Sequence, residues 1–130
     1  MTESEVIQVV RQHFESFFPK VCPNCSRRFE TLREYIRLTK RVGRPLSYDA
    51  ELGDWKTRQP IGTVAMVNCP CGNTLALTTD GMMISKRLAL LDWMRIETHR
   101  QGVSPAELLD HLRDMVRRQV LDDDGGGDRL

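Results

Sequence analysis

The sequence has few aromatic residues, almost no net charge and no long apolar run. Aromatic residues make up 6% of the 130 residues and hydrophobic residues 40%, so a core built from them is modest. The formal net charge of +1 singles out neither a nucleic acid nor an anionic membrane as the partner. No stretch of 18 consecutive apolar residues occurs, which excludes a membrane-spanning helix and predicts no membrane partner.

The N-terminal residues also lack the pattern of a secretory signal. Charged and polar residues interrupt the apolar positions of MTESEVIQVVRQHF, whereas a signal peptide carries an unbroken apolar segment. We therefore expect a cytoplasmic protein, in which thiols stay reduced. In that compartment the four cysteines favour a metal site over structural disulfides.

The order of helical and strand patterns predicts a single α+β domain over residues 1–121, built from a β-hairpin and about four helices. Capping boxes, Thr2 with Glu5 and Ser104 with Glu107, mark the starts of the first and last helices. The acidic, glycine-rich residues 122–130 predict a disordered tail. The predicted elements are helices at 3–17, 30–41 and 83–101, a helix beginning at Pro105, a long loop at 44–60 and a hairpin at 62–79.

Helical spacing also predicts which apolar residues face the core. For the helix at 30–41, the predicted buried residues are Phe29, Leu32, Tyr35, Ile36 and Leu38. For the helix at 83–101, they are Ile84, Leu88, Leu91, Trp93, Met94 and Ile96. The last helix carries a regular stripe of Leu108, Leu112, Met115, Val116 and Val120.

Two short cysteine motifs predict a metal site. Cys22 and Cys25 lie in CPNC, and Cys69 and Cys71 lie in CPC, each pair within a turn-forming sequence. A tight turn aims both side chains of a pair into its concave face, and four thiolates can then take the corners of a tetrahedron around one Zn²⁺. We therefore predict one structural zinc ion held by Cys22, Cys25, Cys69 and Cys71. A structural zinc of this kind would join the second helix to the hairpin and stabilise a domain with a small core.

Two other interpretations of the cysteines remain open from the sequence. Four thiolates can also hold an iron–sulfur cluster. Cys22 and Cys25 have the Cys-x-x-Cys spacing of thiol–disulfide switches.

The two motifs resemble the paired zinc knuckles of zinc-ribbon and treble-clef modules. The resemblance rests on Cys22-Pro23-Asn24-Cys25 and Cys69-Pro70-Cys71-Gly72 and covers about residues 20–80. The order knuckle, helix, loop, hairpin is similar to a rearranged treble clef. Ser26 stands where the usual knuckle has glycine, and the second pair is one spacer residue short. The resemblance implies a metal site and leaves the function open.

No catalytic pattern accompanies the cysteines in the sequence. A catalytic zinc keeps one coordination position open for water, and four cysteine ligands leave none. His13, His99 and His111 lie on three different predicted helices, outside any His-Glu-x-x-His pattern. We therefore expect a protein that is not an enzyme.

A basic stretch offers a possible nucleic-acid surface. Residues 27–44 hold seven basic and two acidic residues, a net charge of +5 in a chain of net +1. The alternative interpretation is a solvated helix face paired with acidic residues from elsewhere in the chain. The residues that would contact phosphates are Arg27, Arg28, Arg33, Arg37, Lys40 and Arg41.

A protein partner or self-association is the other predicted role. The last two helices carry more apolar residues than one inward stripe needs, and methionine-rich surfaces often bind partners. The same residues could instead complete a small core. We predict a regulatory or adaptor module that binds another macromolecule, with protein ahead of nucleic acid. The surplus apolar residues are Met82, Met83, Leu90, Trp93, Leu109 and Leu121.

Overall fold

The computed structural model describes residues 1–127, with side chains described as far as Asp123, and shows a mixed α+β fold. Within this part of the chain there are five helices and two small antiparallel sheets. The elements are α1 (Glu3–Glu15), β1 (Lys20–Val21), β2 (Arg28–Phe29), α2 (Leu32–Leu38), β3 (Lys40–Ser47), α3 (Tyr48–Glu51), β4 (Thr63–Asn68), β5 (Thr74–Thr78), α4 (Ile84–Gln101) and α5 (Pro105–Gly127).

The predicted capping box starts α1. The backbone N–H of Glu5 donates to the Thr2 hydroxyl at 3.2 Å, and the Thr2 N–H donates to the Glu5 carboxylate at 3.4 Å. These bonds satisfy donors that the first helical turn leaves without partners. Val6 and Ile7 are the buried residues of this helix. The prediction of a capped N-terminal helix is confirmed, and the helix ends at Glu15, two residues before the predicted end.

The larger sheet has the strand order β3-β4-β5, with both pairs antiparallel. The predicted hairpin is therefore confirmed as β4 and β5, which pair from Val64 with Thr78 to Asn68 with Thr74. The prediction of a helix over 30–41 is wrong at both ends, since α2 covers only Leu32–Leu38. Lys40 begins β3, because pairing with β4 outweighs the helical pattern of the local sequence.

The predicted loop at 44–60 is partly regular structure. Strand β3 continues to Ser47, whose hydroxyl accepts from the Ala50 N–H and starts α3. Asp49 is buried, and its carboxylate accepts from the N–H groups of Ile61 and Gly62, both at 2.9 Å. The buried carboxylate of Asp49 thus holds the two ends of the segment between α3 and β4 together.

The last two helices follow the predicted boundaries. Gly102 ends α4 in the left-handed conformation at φ 67°, and the Ser104 hydroxyl accepts from the Glu107 N–H at the start of α5. Of the predicted inward residues of α4, Leu91, Trp93 and Met94 are buried, while the others are exposed. The exposed residues, for which the prediction is wrong, are Ile84, Leu88 and Ile96.

The core lies between the inner face of the β3–β5 sheet and the helices. Leu75 and Leu77 of β5 contribute to it together with Leu108 and Leu112 of α5, and Cys22 and Cys69 belong to the same cluster. In α2, Leu32 and Tyr35 are buried as predicted, Ile36 is half-buried and Leu38 is exposed. Among the described residues, no helix combines the length and apolarity that crossing a membrane requires.

Helix α5 runs to Gly127, past residue 121 where the sequence places the end of the domain. The last three residues of the predicted disordered tail, 128–130, lie outside the described part of the chain. The boundary at 121 and the disorder of 122–130 stay predictions.

Candidate metal centre

The four cysteines predicted to bind metal converge at one point. All four Sγ atoms lie within 4.8 Å of one another. The sulfurs of Cys22 and Cys71 are 3.8 Å apart, and those of Cys25 and Cys69 are 3.6 Å apart. A tetrahedral ion with Zn–S bonds of about 2.3 Å requires sulfurs about 3.8 Å apart. The cluster therefore has the size of a single four-coordinate metal site.

The first cysteine pair lies in the turn between β1 and β2. The Cys22 N–H donates to the Arg27 carbonyl at 2.9 Å, and the Ser26 N–H donates to the Cys22 carbonyl at 2.9 Å. Ser26 follows the second cysteine and adopts φ 65°, a left-handed conformation that a side chain disfavours. The local bonds thus build a knuckle even though serine stands at the position that favours glycine.

The second pair lies at the tip of the β4–β5 hairpin. The Cys69 N–H donates to the Asn73 carbonyl and the Gly72 N–H donates to the Cys69 carbonyl, both at 2.8 Å. Gly72 follows the second cysteine at φ 93°, which glycine adopts without a steric penalty. This turn curls the chain enough to bring two cysteines with a single spacer onto one site.

Two asparagines connect the knuckles. The side-chain amide of Asn24 donates to the Cys71 sulfur at 3.4 Å, and that of Asn73 donates to the Cys22 sulfur at 3.7 Å. Each knuckle therefore supplies an amide donor to a thiol of the other knuckle. Such donors stabilise thiolate charge and orient the ligands. The sequence alone does not reveal this role, because asparagine in a turn is explained by turn formation alone.

Hydrogen bonding sets the acidity of the thiols. The Cys25 N–H favours the thiolate and lowers the pKa of Cys22 to about 6, and the Asn24 amide lowers the pKa of Cys71. The pKa of Cys69 is raised to about 12, because burial and the three neighbouring sulfurs outweigh the favourable bond from the Cys71 N–H. Four adjacent thiolates repel one another without a cation between them, and a bound metal ion removes that repulsion.

The centre lies at the boundary between core and solvent. Cys22 and Cys69, the first cysteine of each pair, are buried, while Cys25 and Cys71 are exposed. The buried pair belongs to the core cluster that also contains Phe29 and Leu75. A metal ion here would join the chain between α1 and α2 to the tip of the hairpin, close to the connection that the sequence predicts.

The residue after each knuckle gives a matched pair of stability predictions. Ser26→Gly relieves the left-handed strain and is expected to raise the free energy of unfolding by about 0.5–1 kcal/mol. Gly72→Ser imposes the same strain and is expected to lower it by about 1–2 kcal/mol. Urea unfolding of the metal-loaded proteins measures both. Changes of the same sign in the two variants would contradict this account of the turns.

The predicted nucleic-acid residues are spread over three elements. Arg28 lies on β2, Arg33 and Arg37 on α2, and Lys40 and Arg41 on β3, while Arg27 immediately precedes β2. Arg28 pairs with Glu30 at 2.5 Å, and Arg41 pairs with Asp114 of α5 at 2.7 Å. The sequence places Arg33, Arg37, Lys40 and Arg41 on one helix over 30–41. That prediction is wrong for Lys40 and Arg41, which lie on β3.

Two of the three histidines form hydrogen bonds with groups other than the cysteines. The Nε2 atom of His13 lies 3.0 Å from the Thr78 carbonyl, and that of His111 lies 2.9 Å from the Glu3 carboxylate. His99 is exposed on α4. These positions agree with surface or partly buried structural histidines.

The fold and the site define the chain as an α+β protein with four cysteines placed to hold a metal ion. Searches of protein-family models, curated proteins and solved structures find no match to it. The resemblance of the knuckles to zinc-ribbon and treble-clef modules therefore depends on their own residues and geometry.

Proposed function

We propose that the protein is a small adaptor module in which one structural Zn²⁺ holds the fold together and an exposed apolar surface binds another protein. The metal and the surface are separate parts of this proposal. Four thiolates complete the coordination of the ion and leave no position for a reacting water, so the metal has a structural role.

The sulfur positions support zinc over an iron–sulfur cluster. Sulfur separations of 3.6 and 3.8 Å fit the edges of a tetrahedron around one ion. A cluster contains several iron and sulfide atoms inside its ring of thiolates, so its cysteine sulfurs must lie farther apart. Zinc also accounts for all four cysteines at once, which a switch between Cys22 and Cys25 does not.

The surface that carries the proposed function lies where α3 meets the start of α4. Four large apolar side chains are exposed there: Leu52 by 72%, Met83 by 65%, Ile61 by 57% and Ile84 by 44%. We call these residues the end surface. Single exposed apolar residues are common, but several large ones on neighbouring segments of a small protein are typical of a binding site.

Hydrogen bonds bring the parts of the end surface together. Arg87 donates to the carbonyls of Pro60 at 3.1 Å and Met82 at 3.0 Å, the residues immediately before Ile61 and Met83. The Tyr48 N–H at the start of α3 donates to the Gly62 carbonyl at 3.0 Å, just after Ile61. Helix α3 also packs against α4. The exposed side chains therefore project from neighbouring backbone.

Most of the apolar residues suggested by the sequence for partner binding belong to the core instead. Met82, Trp93 and Leu109 are buried, and Leu90 and Leu121 are half-buried. Met83 alone among them is part of the end surface. Of the other three residues, Leu52 lies in the predicted loop, Ile84 was predicted to face inward on α4, and Ile61 lies between the predicted loop and the predicted hairpin.

The arrangement of the basic residues favours protein over nucleic acid as the partner. A recognition helix needs a continuous row of side chains along a groove, and α2 has only seven residues. Arg28 and Arg41 already have carboxylate partners, which reduces the charge that they offer to phosphates. Nucleic-acid binding is therefore the second candidate.

A pair of matched double variants tests the proposed surface. Leu52→Ser with Met83→Ser removes the two most exposed residues of the end surface, and Phe17→Ser with Leu38→Ser removes two exposed apolar residues outside it. Sedimentation velocity measures self-association, and tagged protein in extract of the native host measures partner capture. The first variant is expected to lose at least tenfold in self-association or in capture of a defined partner, and the second to behave like the wild type.

Two results would overturn this proposal. The first is equal loss, or no loss, in both double variants. The second is binding of labelled DNA or RNA with a steep salt dependence that Arg33→Ala, Arg37→Ala and Arg41→Ala together abolish.

A further inference from the structure

A cavity of about 130 Å³ lies between the inner face of the β3–β5 sheet and the helices packed on it. The sheet contributes Ala65, Val67 and Leu77 to its wall, and the helices contribute Met94 and Val116. Native cores hold few voids larger than a water molecule, because unfilled volume removes contacts from every residue around it. A void of this size is therefore unusual in a domain as small as this one.

The cavity has a cause in strands β3 and β4. Ala65 and its alternate neighbours in β4 line the space, since alternate residues of a strand share one face. Beside Ala65 the pairing of β3 with β4 is irregular, between Val42 and Leu46. Within this irregular part Gly43 has no side chain, and the ring of Pro45 lines the cavity. The sheet therefore supplies little side-chain volume at this point, and the helices leave the resulting space unfilled.

The surface that faces the cavity is almost wholly apolar. Two threonines of the wall form hydrogen bonds with groups of the protein itself. The Thr39 hydroxyl donates to the Tyr35 carbonyl at 2.6 Å, and the Thr79 hydroxyl oxygen accepts from the Thr63 N–H at 2.9 Å. Water inside such a space would find too few hydrogen-bond partners, so the cavity stays dry and suits a molecule without polar groups.

We infer that this cavity binds a neutral apolar molecule about the size of benzene, a small aromatic or aliphatic hydrocarbon. The volume is close to the roughly 150 Å³ of an engineered apolar cavity that takes up benzene. A ligand of this class would restore the dispersion contacts that the lining residues lack. A polar group on the ligand would weaken binding, because burial removes its hydration without a replacement.

This inference is independent of the metal and of the end surface. None of the four cysteines and none of the four end-surface residues lines the cavity. A failure to bind hydrocarbons would therefore leave the proposed adaptor function untouched.

Three ring compounds of similar size test the ligand class on the full protein loaded with zinc. Benzene has no polar atom, pyridine carries one hydrogen-bond acceptor, and phenol carries one hydroxyl group. Benzene is expected to bind with a dissociation constant in the millimolar range or below, and at least tenfold more tightly than pyridine or phenol. Calorimetry measures the three affinities, and the midpoint of thermal unfolding is expected to rise with benzene concentration.

Three variants locate the binding. Ala65→Ile fills the space from the sheet and Val116→Phe fills it from α5, and each is expected to abolish benzene binding. Ala76→Ile is the matched control, because Ala76 is exposed on β5 and does not line the cavity, and it is expected to bind like the wild type. Thermal unfolding verifies that each variant folds. The methyl resonances of Leu77 and Met94 are expected to shift when benzene binds the wild type.

Equal affinities for benzene, pyridine and phenol would overturn the inference. So would wild-type benzene affinity in a folded Ala65→Ile or Val116→Phe protein, and if one of these variants fails to fold, the other decides. Equal losses in the filled variants and in Ala76→Ile, or methyl shifts confined to residues outside the cavity, would also contradict it. The absence of benzene binding at millimolar concentration would overturn it as well.

Discussion

Removal of the metal is expected to unfold the middle of the chain. The two knuckles themselves are carried by little regular structure: β1 and β2, which have two residues each, and the tip of the β4–β5 hairpin. A structural zinc contributes about 10–16 kcal/mol in small peptides, as much as the whole net stability of about 5–15 kcal/mol of a typical domain. Without the ion, burial of Cys22 and Cys69 among like charges or unpaired thiols opposes folding.

The measurement is far-ultraviolet circular dichroism before and after a strong chelator, with metal content determined in parallel. Aerobically purified protein is expected to carry one equivalent of zinc, to lose ordered structure on chelation and to recover it with Zn²⁺. Mg²⁺ serves as the control, because it prefers oxygen ligands and cannot replace zinc among thiolates. An unchanged spectrum in the metal-free protein, or bound iron in place of zinc, would contradict the proposed structural zinc.

Substitution of Asp49 is expected to produce the next largest loss of stability. Asp49→Ala removes two charge-assisted hydrogen bonds and leaves the Ile61 and Gly62 N–H groups without their acceptor in a largely buried place. The expected decrease in the free energy of unfolding is about 3 kcal/mol, measured by urea denaturation. Asp49→Asn retains one acceptor oxygen but turns an amide N–H toward a backbone N–H, so a loss of about 2 kcal/mol is expected.

Asp54→Ala is the matched control for this prediction. Asp54 follows in the same segment, but its side chain is exposed, so its replacement is expected to change stability by less than about 0.5 kcal/mol. Comparable losses at both positions would show that Asp49 does not anchor the segment through its carboxylate.

Local sequence was sufficient to predict the features that depend on neighbouring residues. The capping box at Thr2 and Glu5, the left-handed Gly102 and the β4–β5 hairpin are all set by residues within a few positions of one another. The four cysteines could be grouped because metal coordination limits the residue types and spacings that suit it.

Strand β3 could not be predicted, because its sequence is atypical of a β-strand. Lys40–Ser47 contains Gly43 and Pro45 and shows no alternation of polar and apolar residues. Pairing with β4 has an irregularity between Val42 and Leu46, and Pro45 lies inside it, where its missing N–H interrupts no regular pair. The strand therefore depends on tertiary pairing rather than on local preference.

Because β3 begins at Lys40, Lys40 and Arg41 lie on a strand and not on the predicted helix. Arg41 pairs with Val67 in the sheet register, and its side chain donates to Asp114 of α5. The amide donors Asn24 and Asn73 were also missed as parts of the metal centre. Both cases depend on distances between segments that are remote in sequence, which a local pattern does not contain.

The convergence of the two cysteine pairs at one site has a consequence for proteolysis. Residues 26–68 lie between the two cysteine pairs, whose sulfurs converge, and the turn at Leu52–Asp54 within this segment is exposed. With the proposed zinc ion bound, a single cut there would produce two fragments still joined through metal–sulfur bonds. Such a nicked molecule is expected to migrate as one species under native conditions, and withdrawal of the ion would leave its two fragments joined by noncovalent contacts alone.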